Sequence, residues 1–399
     1  MTEETETRQQ LLPDELHSTA DPQPELLVFA DDWGRHPSSC QHLISRLLPR
    51  YRTTWVNTIG MRSPRFDLQT IRRGIEKLSH WSPAAQADAL QLPENLTLLN
   101  PYMWPEFRTG AGRAMNRRLL TCALRQRVLA ANGPVIGITT LPIVADLMDR
   151  LGLERWVYYC VDDFSTWPGL DHRPLEEMEE LLISGVDRLI AVSENLHDRL
   201  SARGREARLL PHGIDLDFWS VPQSPGGLPQ PASATDPLIV FWGLIDRRMD
   251  VKFVHRLADD LDSGTVLLAG PQDCPDPALL RHPKVVATGA LPRSELPGLA
   301  QRARVLIMPY DDLPVTQAMQ PLKLLEYLAT SCPVVVRNLP ATRDWTDCLD
   351  LAETATEFSR LVRQRLREGL PASQRAARRR LEHESWEARA AEFERILVD

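Results

Sequence analysis

Short apolar runs alternate with stretches of helical spacing along most of the chain, and this alternation limits the folds open to it. Residues 26–30 form such a run, bounded by turn signals as a buried parallel strand is. Apolar residues at helical spacing occupy residues 111–131, and a further short run follows at 135–138. Strands that alternate with helices form βαβ units with a parallel sheet. The sequence therefore predicts an α/β protein.

The alternation is interrupted most clearly over residues 221–237, where five prolines and two glycines fall within seventeen residues. This composition is typical of a linker. We predict a doubly wound α/β domain on each side, over residues 25–220 and 238–384, after a disordered acidic tail at residues 1–24. The carboxyl ends of the strands of both domains would face a common cleft, where open α/β sheets bind ligands.

Charge and composition exclude several classes of protein. The net charge of −8 argues against a nucleic-acid partner, which usually requires a basic domain. The longest apolar runs are far shorter than the roughly 20 residues that cross a bilayer, and the first residues lack the basic and apolar regions of a signal peptide. The six cysteines form no C-x-x-C pair, so we predict no metal site. We expect a cytoplasmic protein.

The segment with the clearest chemistry surrounds residues 320–326. A polar loop leads to Gln320, which can serve as a helix N-cap, and Pro321 suits the first helical position. Free N–H groups at a helix start attract anions, and Lys323 adds a positive charge there. Glu326 lies one turn further on, within reach of a ribose diol. The alternative is that Lys323 and Glu326 form an i,i+3 surface ion pair.

The same segment carries a resemblance to a known family. Pro321-Leu-Lys-Leu-Leu-Glu-Tyr-Leu-Ala, followed by Pro333-Val-Val, resembles the P-x-K-x-x-E-Y-x-A-x-G-x-P-V-V signature of the GT-B glycosyltransferases of the retaining group-1 type. Other segments are similar to the family's patterns, and they lie at residues 187–196, 210–215, 241–245, 268–271 and 289–291. The resemblance spans roughly residues 25–398. It implies the GT-B fold, in which two Rossmann-like domains face a central cleft and the final helix, here residues 385–399, crosses back to the N-terminal domain.

The resemblance also implies a donor site in the C-terminal domain for a nucleoside diphosphate sugar, with no metal or other cofactor. Lys323 would stabilise the charge on the leaving diphosphate, and Glu326 would bind the ribose hydroxyls. The backbone around residues 320–322 would meet the diphosphate, and Gly289 and Leu291 would border the base. The implied donor-binding residues are Glu326, Gln320, Pro321, Leu322, Arg247, Arg248, Gly289, Leu291 and Gly243.

The chain departs from the family pattern at two places. Ala318 occupies the position of a first glutamate that contacts the donor sugar in the family. The usual arginine and lysine after the first strand of the C-terminal domain fall near Leu244 and Met249. Arg247 and Arg248 lie close by and could substitute, or they could be solvated cations. The donor sugar therefore stays open.

Two carboxylates end a predicted strand on the acceptor side of the cleft. Asp162 falls where many relatives carry the histidine of a His-Asp pair, and Asp163 follows it. A carboxylate there could orient or deprotonate an acceptor hydroxyl. Alternatively, one of the two caps the following turn. We expect the catalytic role for Asp162 and list Asp163 among the acceptor-side residues.

Two further segments border the predicted acceptor side. Asp31, Asp32 and Gly34 follow the first strand, and the two carboxylates would repel phosphate, so we favour acceptor contact or capping for them. Gly34 would allow the backbone to approach a ligand closely. Ser193 follows another strand, where N-capping of the next helix is the alternative to an acceptor role.

Two basic stretches bear on membrane contact. Residues 108–127 carry six arginines, and residues 360–380 carry eight arginines and one glutamate. Such stretches are usually solvated helix faces. The alternative is peripheral docking on the anionic inner surface of a membrane, where lipid-linked acceptors are found.

The sequence thus favours a hexosyltransferase that moves a sugar from a nucleoside diphosphate sugar to a glycan or lipid-linked acceptor in polysaccharide biosynthesis. One alternative is a nucleotide-sugar epimerase on the same fold, against which Ala318 and Met319 argue, because that reaction needs more acid and base groups beside the sugar. The other is a non-catalytic subunit that binds a nucleotide sugar, which the loss of the glutamate at position 318 favours and the presence of Lys323 and Glu326 disfavours.

Overall fold

The computed structural model describes residues 23–34, 38–61, 92–220 and 234–399. Most of the predicted tail and residues 221–233 of the predicted linker lie outside the described residues. The same holds for residues 71–79, for which the sequence predicts a helix. The described parts contain two parallel sheets with helices between their strands, as the alternation of the sequence predicts. The α/β class with two Rossmann-like domains is confirmed.

The N-terminal sheet has seven described strands, all parallel, in the order β3-β2-β1-β4-β5-β6-β7. Their bounds are β1 Glu25–Ala30, β2 Thr53–Asn57, β3 Leu96–Leu99, β4 Val135–Thr139, β5 Arg155–Cys160, β6 Arg188–Ala191 and β7 Ala207–Leu209. Leu27 of β1 lies opposite Thr54 on one side and Gly137 on the other. The order reverses between β1 and β4, and the crevice at such a switch point is where these sheets bind ligands.

The C-terminal sheet has six described strands in the order β12-β10-β8-β13-β14-β15, and β9 pairs with β11 beside it. Their bounds are β8 Leu238–Trp242, β9 Ile245–Asp246, β10 Thr265–Ala269, β11 Gln272–Asp273, β12 Val285–Gly289, β13 Ala303–Met308, β14 Val334–Arg337 and β15 Asp350–Ala352. This order reverses between β8 and β13. The predicted donor residues around 243 and 320–326 follow these two strands in sequence.

Helices connect the strands and cover the sheets. The α-helices are α1 Ser39–Leu47, α2 Gly110–Leu129, α3 His172–Gly185, α4 Glu194–Ser201, α5 Leu216–Ser220, α6 Val251–Asp260, α7 Leu296–Arg302, α8 Pro314–Ala318, α9 Leu322–Leu328, α10 Pro340–Arg343, α11 Ala355–Glu368, α12 Ala372–Ala377 and α13 Trp386–Val398. Short 3-10 helices lie at Pro142–Leu147, Leu279–Arg281, Arg293–Glu295 and Arg378–His383. None of the helices in the described ranges combines the length and apolar character needed to span a bilayer.

Each sheet has its own hydrophobic core, and α13 belongs to the N-terminal one. Phe393 of α13 is fully buried, and its ring lies 5.5 Å from that of Tyr159 on β5. The chain reaches this position by pairing with the end of the N-terminal half, where the Ile214 N–H donates to the Glu384 carbonyl at 2.7 Å. The last helix of the chain therefore packs into the N-terminal domain. The exact domain boundaries stay a prediction.

Two predicted helices differ from the structure. The helical spacing of residues 375–398 predicts one long helix, and this prediction is wrong, because the backbone around Ser385 is extended and forms a bridge with Ile214. The spacing of residues 141–151 predicts an α-helix, but the structure has the shorter 3-10 helix Pro142–Leu147 there. In the first case a contact far away in the sequence determines where the helix breaks, and helical periodicity does not record such a contact.

Candidate functional site

Three glycines mark the carboxyl ends of adjacent strands in the C-terminal sheet. Gly243, Gly270 and Gly289 follow or end β8, β10 and β12, with φ of 127°, 153° and 77°. The Gly243 N–H donates to the Ala269 carbonyl at 2.9 Å, and the Gly270 N–H donates to the Gly289 carbonyl at 2.8 Å. A Cβ on Gly270 would lie 1.9 Å from the carbonyl oxygen of Gly243. The floor of the cleft is therefore bare backbone, which a phosphate or a base can approach closely.

We predict that Gly270→Ala destabilises the protein by at least about 3 kcal/mol, because the methyl group meets fixed backbone and the left-handed φ is strained for alanine. Urea unfolding measures this change in the free energy of unfolding. Gly110→Ala is the matched control, since nothing lies within 4 Å of its Cβ position at the start of α2. Equal stability of the two variants would contradict the close backbone packing of the cleft floor.

Lys323 lies above this floor. Its Nζ donates to the hydroxyl of Tyr310 and lies 4.4 Å from the centroid of the Phe241 ring. A Cβ on Gly243 would come within 2.3 Å of this Nζ, so the glycine leaves the room in which the ammonium group sits. The structure thus holds a positive charge at the carboxyl end of β8.

Glu326 forms its hydrogen bond with Trp242 and not with Lys323. The indole Nε1 of Trp242 donates to Glu326 Oε2 at 3.0 Å, and the carboxylate is half-buried. Burial raises the pKa of Glu326, while the Trp242 hydrogen bond and the charges of Arg293 and Lys323 oppose the rise. Within the described ranges no ion pair joins Glu326 to Lys323, and the surface-pair alternative is not what the structure shows.

Trp242, which sequence reasoning missed, is itself held in place. Its backbone N–H donates to the hydroxyl of Tyr327 at 3.0 Å, and its ring stacks on that of Trp219 at 5.4 Å between centroids. Tyr327 is fully buried and meets the Trp242 ring edge-on at 4.3 Å. These contacts fix the direction of the indole N–H and, through it, of the Glu326 carboxylate.

The start of α9 differs from the prediction at Gln320. The N-cap position is Pro321, without a side-chain cap, and α9 begins at Leu322. The predicted N-cap role of Gln320 is therefore wrong. Its Oε1 instead accepts the backbone N–H of His212 at 2.8 Å, because a contact between the domains uses this side chain.

A second contact between the domains involves Ala318, which occupies the position of the first glutamate of the family pattern. Ala318 is buried at the end of α8, and its carbonyl accepts the hydroxyl of Ser193 at 2.5 Å. The same hydroxyl accepts the N–H of Leu196 at 3.3 Å and so caps α4. Ser193 therefore makes both the capping contact and a contact across the cleft.

Arg248 and Arg247 are placed differently from each other. Arg248 is buried, donates to both carboxylate oxygens of Asp246 at 3.0–3.1 Å, and lies 4.3 Å from the ring centroid of Trp167 in the N-terminal domain. Arg247 is exposed and lines an open groove of about 700 Å³ with Lys252 and other residues of the C-terminal domain. Arg248 thus bridges the cleft, whereas Arg247 lies at its outer side.

Asp162 is half-buried just beyond the end of β5. Burial raises its pKa to about 7, the charges of Asp31 and Asp163 add to the rise, and the nearby guanidinium of Arg248 opposes it. Arg248 belongs to the other domain, so Asp162 faces the cleft between them. A carboxyl group that titrates near neutral pH can exchange a proton with a bound hydroxyl.

Asp163 has another environment. It is buried, and its Oδ1 accepts the backbone N–H and the hydroxyl of Ser165 at 3.1 and 2.5 Å. Arg199 lies 3.8 Å from the same oxygen. These contacts are those of a residue that caps the following turn, the alternative that the sequence left open for this pair.

The loop after β1 is fixed through its backbone. The carbonyl of Asp31 accepts from the indole of Trp55 at 3.0 Å, and the carbonyl of Asp32 accepts from Gln41 at 3.2 Å. Gly34 has a φ of 77°, and its N–H donates to Gln41 at 3.2 Å. Their predicted acceptor-side role stays a prediction. The described residues contain no group of three His, Cys, Asp or Glu side chains that could hold a metal ion.

Comparison with known proteins relates the site to a family. Residues 236–366 match the sequence model described as "Glycosyl transferases group 1". TuaH of Bacillus subtilis (strain 168), a proposed teichuronic acid biosynthesis glycosyltransferase, is 30% identical over 176 residues, which are 42% of this chain and 44% of TuaH. The chain thus spans less than half the length of this relative.

Solved structures share the fold over nearly the whole chain. A sucrose-phosphate synthase from Thermosynechococcus elongatus superposes with a TM-score of 0.70 at 15% identity, over 94% of this chain and 98% of that one. Anabaena HepE in complex with UDP and glucose superposes with a TM-score of 0.65 at 12% identity, over 94% and 99% of the chains. At these identities the likeness shows the fold.

Proposed function

We propose that this chain is a group 1 glycosyltransferase and that it transfers a sugar from a nucleoside diphosphate sugar to a hydroxyl group. The match of residues 236–366 to the group 1 model, the similarity to TuaH and the shared two-domain fold support this proposal. One observation carries the proposal. The ammonium of Lys323 and the oriented carboxylate of Glu326 lie at the carboxyl edge of the C-terminal sheet, on the backbone floor next to Gly243. A cation for a diphosphate and a carboxylate for a diol are thereby brought together.

The donor binds in the C-terminal domain in this proposal. Glu326 accepts hydrogen bonds from the ribose hydroxyls through the oxygen that Trp242 leaves free. Lys323 and the backbone around Leu322 meet the diphosphate, and the backbone at Gly289 and Leu291 borders the base. The presence of UDP and glucose in the HepE complex, which shares the fold, supports a nucleoside diphosphate donor.

The transfer follows from the charges on the two sides of the cleft. The bond between the anomeric carbon and the diphosphate oxygen breaks, and the negative charge that grows on the diphosphate is stabilised by Lys323. A bond forms between the anomeric carbon and the acceptor oxygen, whose proton passes to the carboxylate of Asp162. No cofactor enters this scheme.

The acceptor is a glycan or a lipid-linked sugar in this proposal, and the reaction belongs to polysaccharide biosynthesis. The similarity to TuaH, whose description concerns teichuronic acid biosynthesis, supports this assignment. A lipid-linked acceptor would require peripheral contact with a membrane.

Thermal unfolding with UDP, GDP, ADP and TDP tests the donor site. A ligand that binds only the native state stabilises it by RT ln(1 + [L]/Kd), which is about 2.7 kcal/mol at a hundredfold excess over Kd. We expect one nucleoside diphosphate to raise the melting temperature much more than its monophosphate does, because Lys323 meets the diphosphate. If no nucleotide raised the melting temperature, the proposed donor site would be wrong.

A further inference from the structure

Exposed apolar side chains are concentrated in one segment of the N-terminal domain. Of the nine large apolar side chains exposed among the described residues, five lie within residues 92–129. Tyr102 is 72% exposed, Trp104 54%, Met115 47% and Leu129 74%. Exposed apolar residues that cluster in this way mark an interaction surface more often than scattered ones do.

The loop before α2 holds its aromatic residues outward. Met103 and Phe107 are buried and anchor the loop, while Tyr102 and Trp104 point the other way. The buried Asn116 of α2 accepts the Trp104 N–H at 2.6 Å and donates to the Trp104 carbonyl at 2.9 Å. Because both backbone groups of Trp104 are bonded to Asn116, the direction of its Cα–Cβ bond is fixed, and the indole is 54% exposed.

The outer face of α2 carries both apolar and positively charged exposed side chains. Met115, Arg118, Arg125 and Leu129 follow one another at intervals of three, seven and four residues and are all exposed, so they share one face of the helix. Within the described ranges Arg118 and Arg125 make no hydrogen bond or ion pair through their side chains. Residues 107–145 contain no aspartate or glutamate. The face is both apolar and cationic over about 21 Å, the helical rise from Met115 to Leu129.

In the other basic stretch, residues 360–380, two arginines bond to groups of the C-terminal domain itself. Arg365 donates to both oxygens of Asp350 at 2.5 and 2.7 Å, and Arg378 donates to the carbonyls of Thr330, Cys332 and Cys348. No large apolar side chain in residues 360–380 is exposed. Arg365 and Arg378 hold the C-terminal domain together, whereas Arg118 and Arg125 of α2 are exposed on the same face as Met115 and Leu129.

We propose that the loop at residues 100–107 and the outer face of α2, here called the α2 surface, bind an anionic lipid membrane. Tryptophan and tyrosine rings enter the headgroup region, where an apolar ring with a polar edge is stable, and arginines pair with anionic headgroups. The cationic and apolar character together favour a lipid surface over a neutral glycan, which offers the arginines no counter-charge.

The α2 surface also lies next to the proposed acceptor side. Asn100, at the start of the loop, accepts from Asn57 at 2.7 Å, and Asn57 in turn accepts the Trp33 N–H at 3.1 Å beside Asp32. A membrane bound at the α2 surface would therefore border the acceptor loop. The biological purpose of this surface, access to lipid-linked acceptors, rests on the proposed function. Binding to vesicles can be measured without a donor and without sugar transfer.

Sedimentation of the full chain with lipid vesicles tests the inference. One set of vesicles contains phosphatidylcholine alone, and in the other about a third of the lipid is phosphatidylglycerol. We expect binding to the anionic vesicles only. Arg118→Glu with Arg125→Glu should lower the partition coefficient at least about tenfold, and Trp104→Ala should lower it several-fold. Thermal unfolding should be unchanged, because all three side chains are exposed.

The control is Arg375→Glu with Arg379→Glu, which makes the same change in charge at exposed positions of the other basic stretch. It should leave vesicle binding within about twofold of the unchanged protein. If both double variants lost vesicle binding equally, the effect of charge would be non-specific and the proposal for the α2 surface would be overturned. The proposal would also be overturned if the unchanged protein did not bind anionic vesicles. Loss of vesicle binding with normal sugar transfer to a soluble acceptor leaves the proposed function intact, so the two failures are distinguishable.

Discussion

We expect Asp162→Asn to lower the turnover of sugar transfer by about 10²- to 10⁴-fold, the usual contribution of a general base. The carboxyl group lies at the end of β5 and faces the domain that is proposed to hold the donor. Asparagine keeps the shape of the side chain but cannot accept the proton of the acceptor hydroxyl. Donor binding should change little, because Asp162 lies on the opposite side of the cleft from Lys323 and Glu326.

The pH dependence of the reaction gives a second readout of the same residue. A base must be deprotonated to act, and the pKa of Asp162 is raised to about 7 by burial and by the charges of Asp31 and Asp163. We therefore expect kcat/KM to rise as the pH increases through about 7 and then to level off. The rise should be absent from the residual activity of Asp162→Asn. Asp262→Asn, at an exposed position, should keep both the rate and the pH profile.

Stability should depend on pH in the corresponding sense. Between the ordinary aspartate pKa, near 4, and the folded value of about 7, the folded state binds more protons at Asp162 than the unfolded state does. This residue therefore makes the free energy of unfolding fall as the pH rises through that window. Asp162→Asn should remove this contribution and be relatively more stable above pH 7 than below pH 4. If Asp162→Asn still showed the rise of kcat/KM through about pH 7, the role of Asp162 as the base would be contradicted.

The second large effect is expected at Glu326. We predict that Glu326→Gln raises the Kd of the nucleoside diphosphate about 100-fold, which corresponds to about 2.7 kcal/mol, because the ribose hydroxyls lose a charged acceptor. Isothermal titration calorimetry measures this change. Trp242→Phe keeps the ring but loses the N–H that holds the carboxylate, so we expect a smaller loss of about tenfold.

Two comparisons separate binding from folding in these variants. Burial raises the pKa of Glu326, so the folded protein stabilises the charged carboxylate poorly, and a neutral amide of the same size should not lower the melting temperature. Glu176→Gln removes an exposed carboxylate on α3 and should leave the Kd unchanged. If Glu326→Gln bound the nucleotide normally while remaining folded, Glu326 would have no contact with the donor.

Local patterns in the sequence predict the main elements well. The apolar runs and helical spacings place the strands around Leu27 and Val240 and the helix around Leu124, because these patterns reflect burial on one face of a single element. The spacing of Lys323 and Glu326 likewise follows from one helix. Such features depend on residues fewer than about ten positions apart.

Contacts between distant parts of the chain were not predictable in the same way. Trp242 and Glu326 are 84 residues apart, and Gln320 reaches the backbone of His212 in the other domain, 108 residues away. The packing of α9 against the C-terminal sheet decides the first pairing, and the packing of the two domains decides the second. The sequence favoured the catalytic role for Asp162 but left capping open for either carboxylate, and the evidence for capping by Asp163 is Ser165, whose N–H and hydroxyl both donate to it.

The most direct measurement is incubation of the purified protein with radiolabelled UDP- and GDP-sugars, followed by separation of the labelled products. We predict that the label leaves the nucleotide, that the nucleoside diphosphate is released in equal amount, and that the label appears on an added acceptor or, without one, as free sugar. Label that stayed on the nucleotide as a different sugar would instead identify an epimerase. A nucleotide sugar that bound without any release of the diphosphate would contradict the proposed transfer and identify a binding subunit.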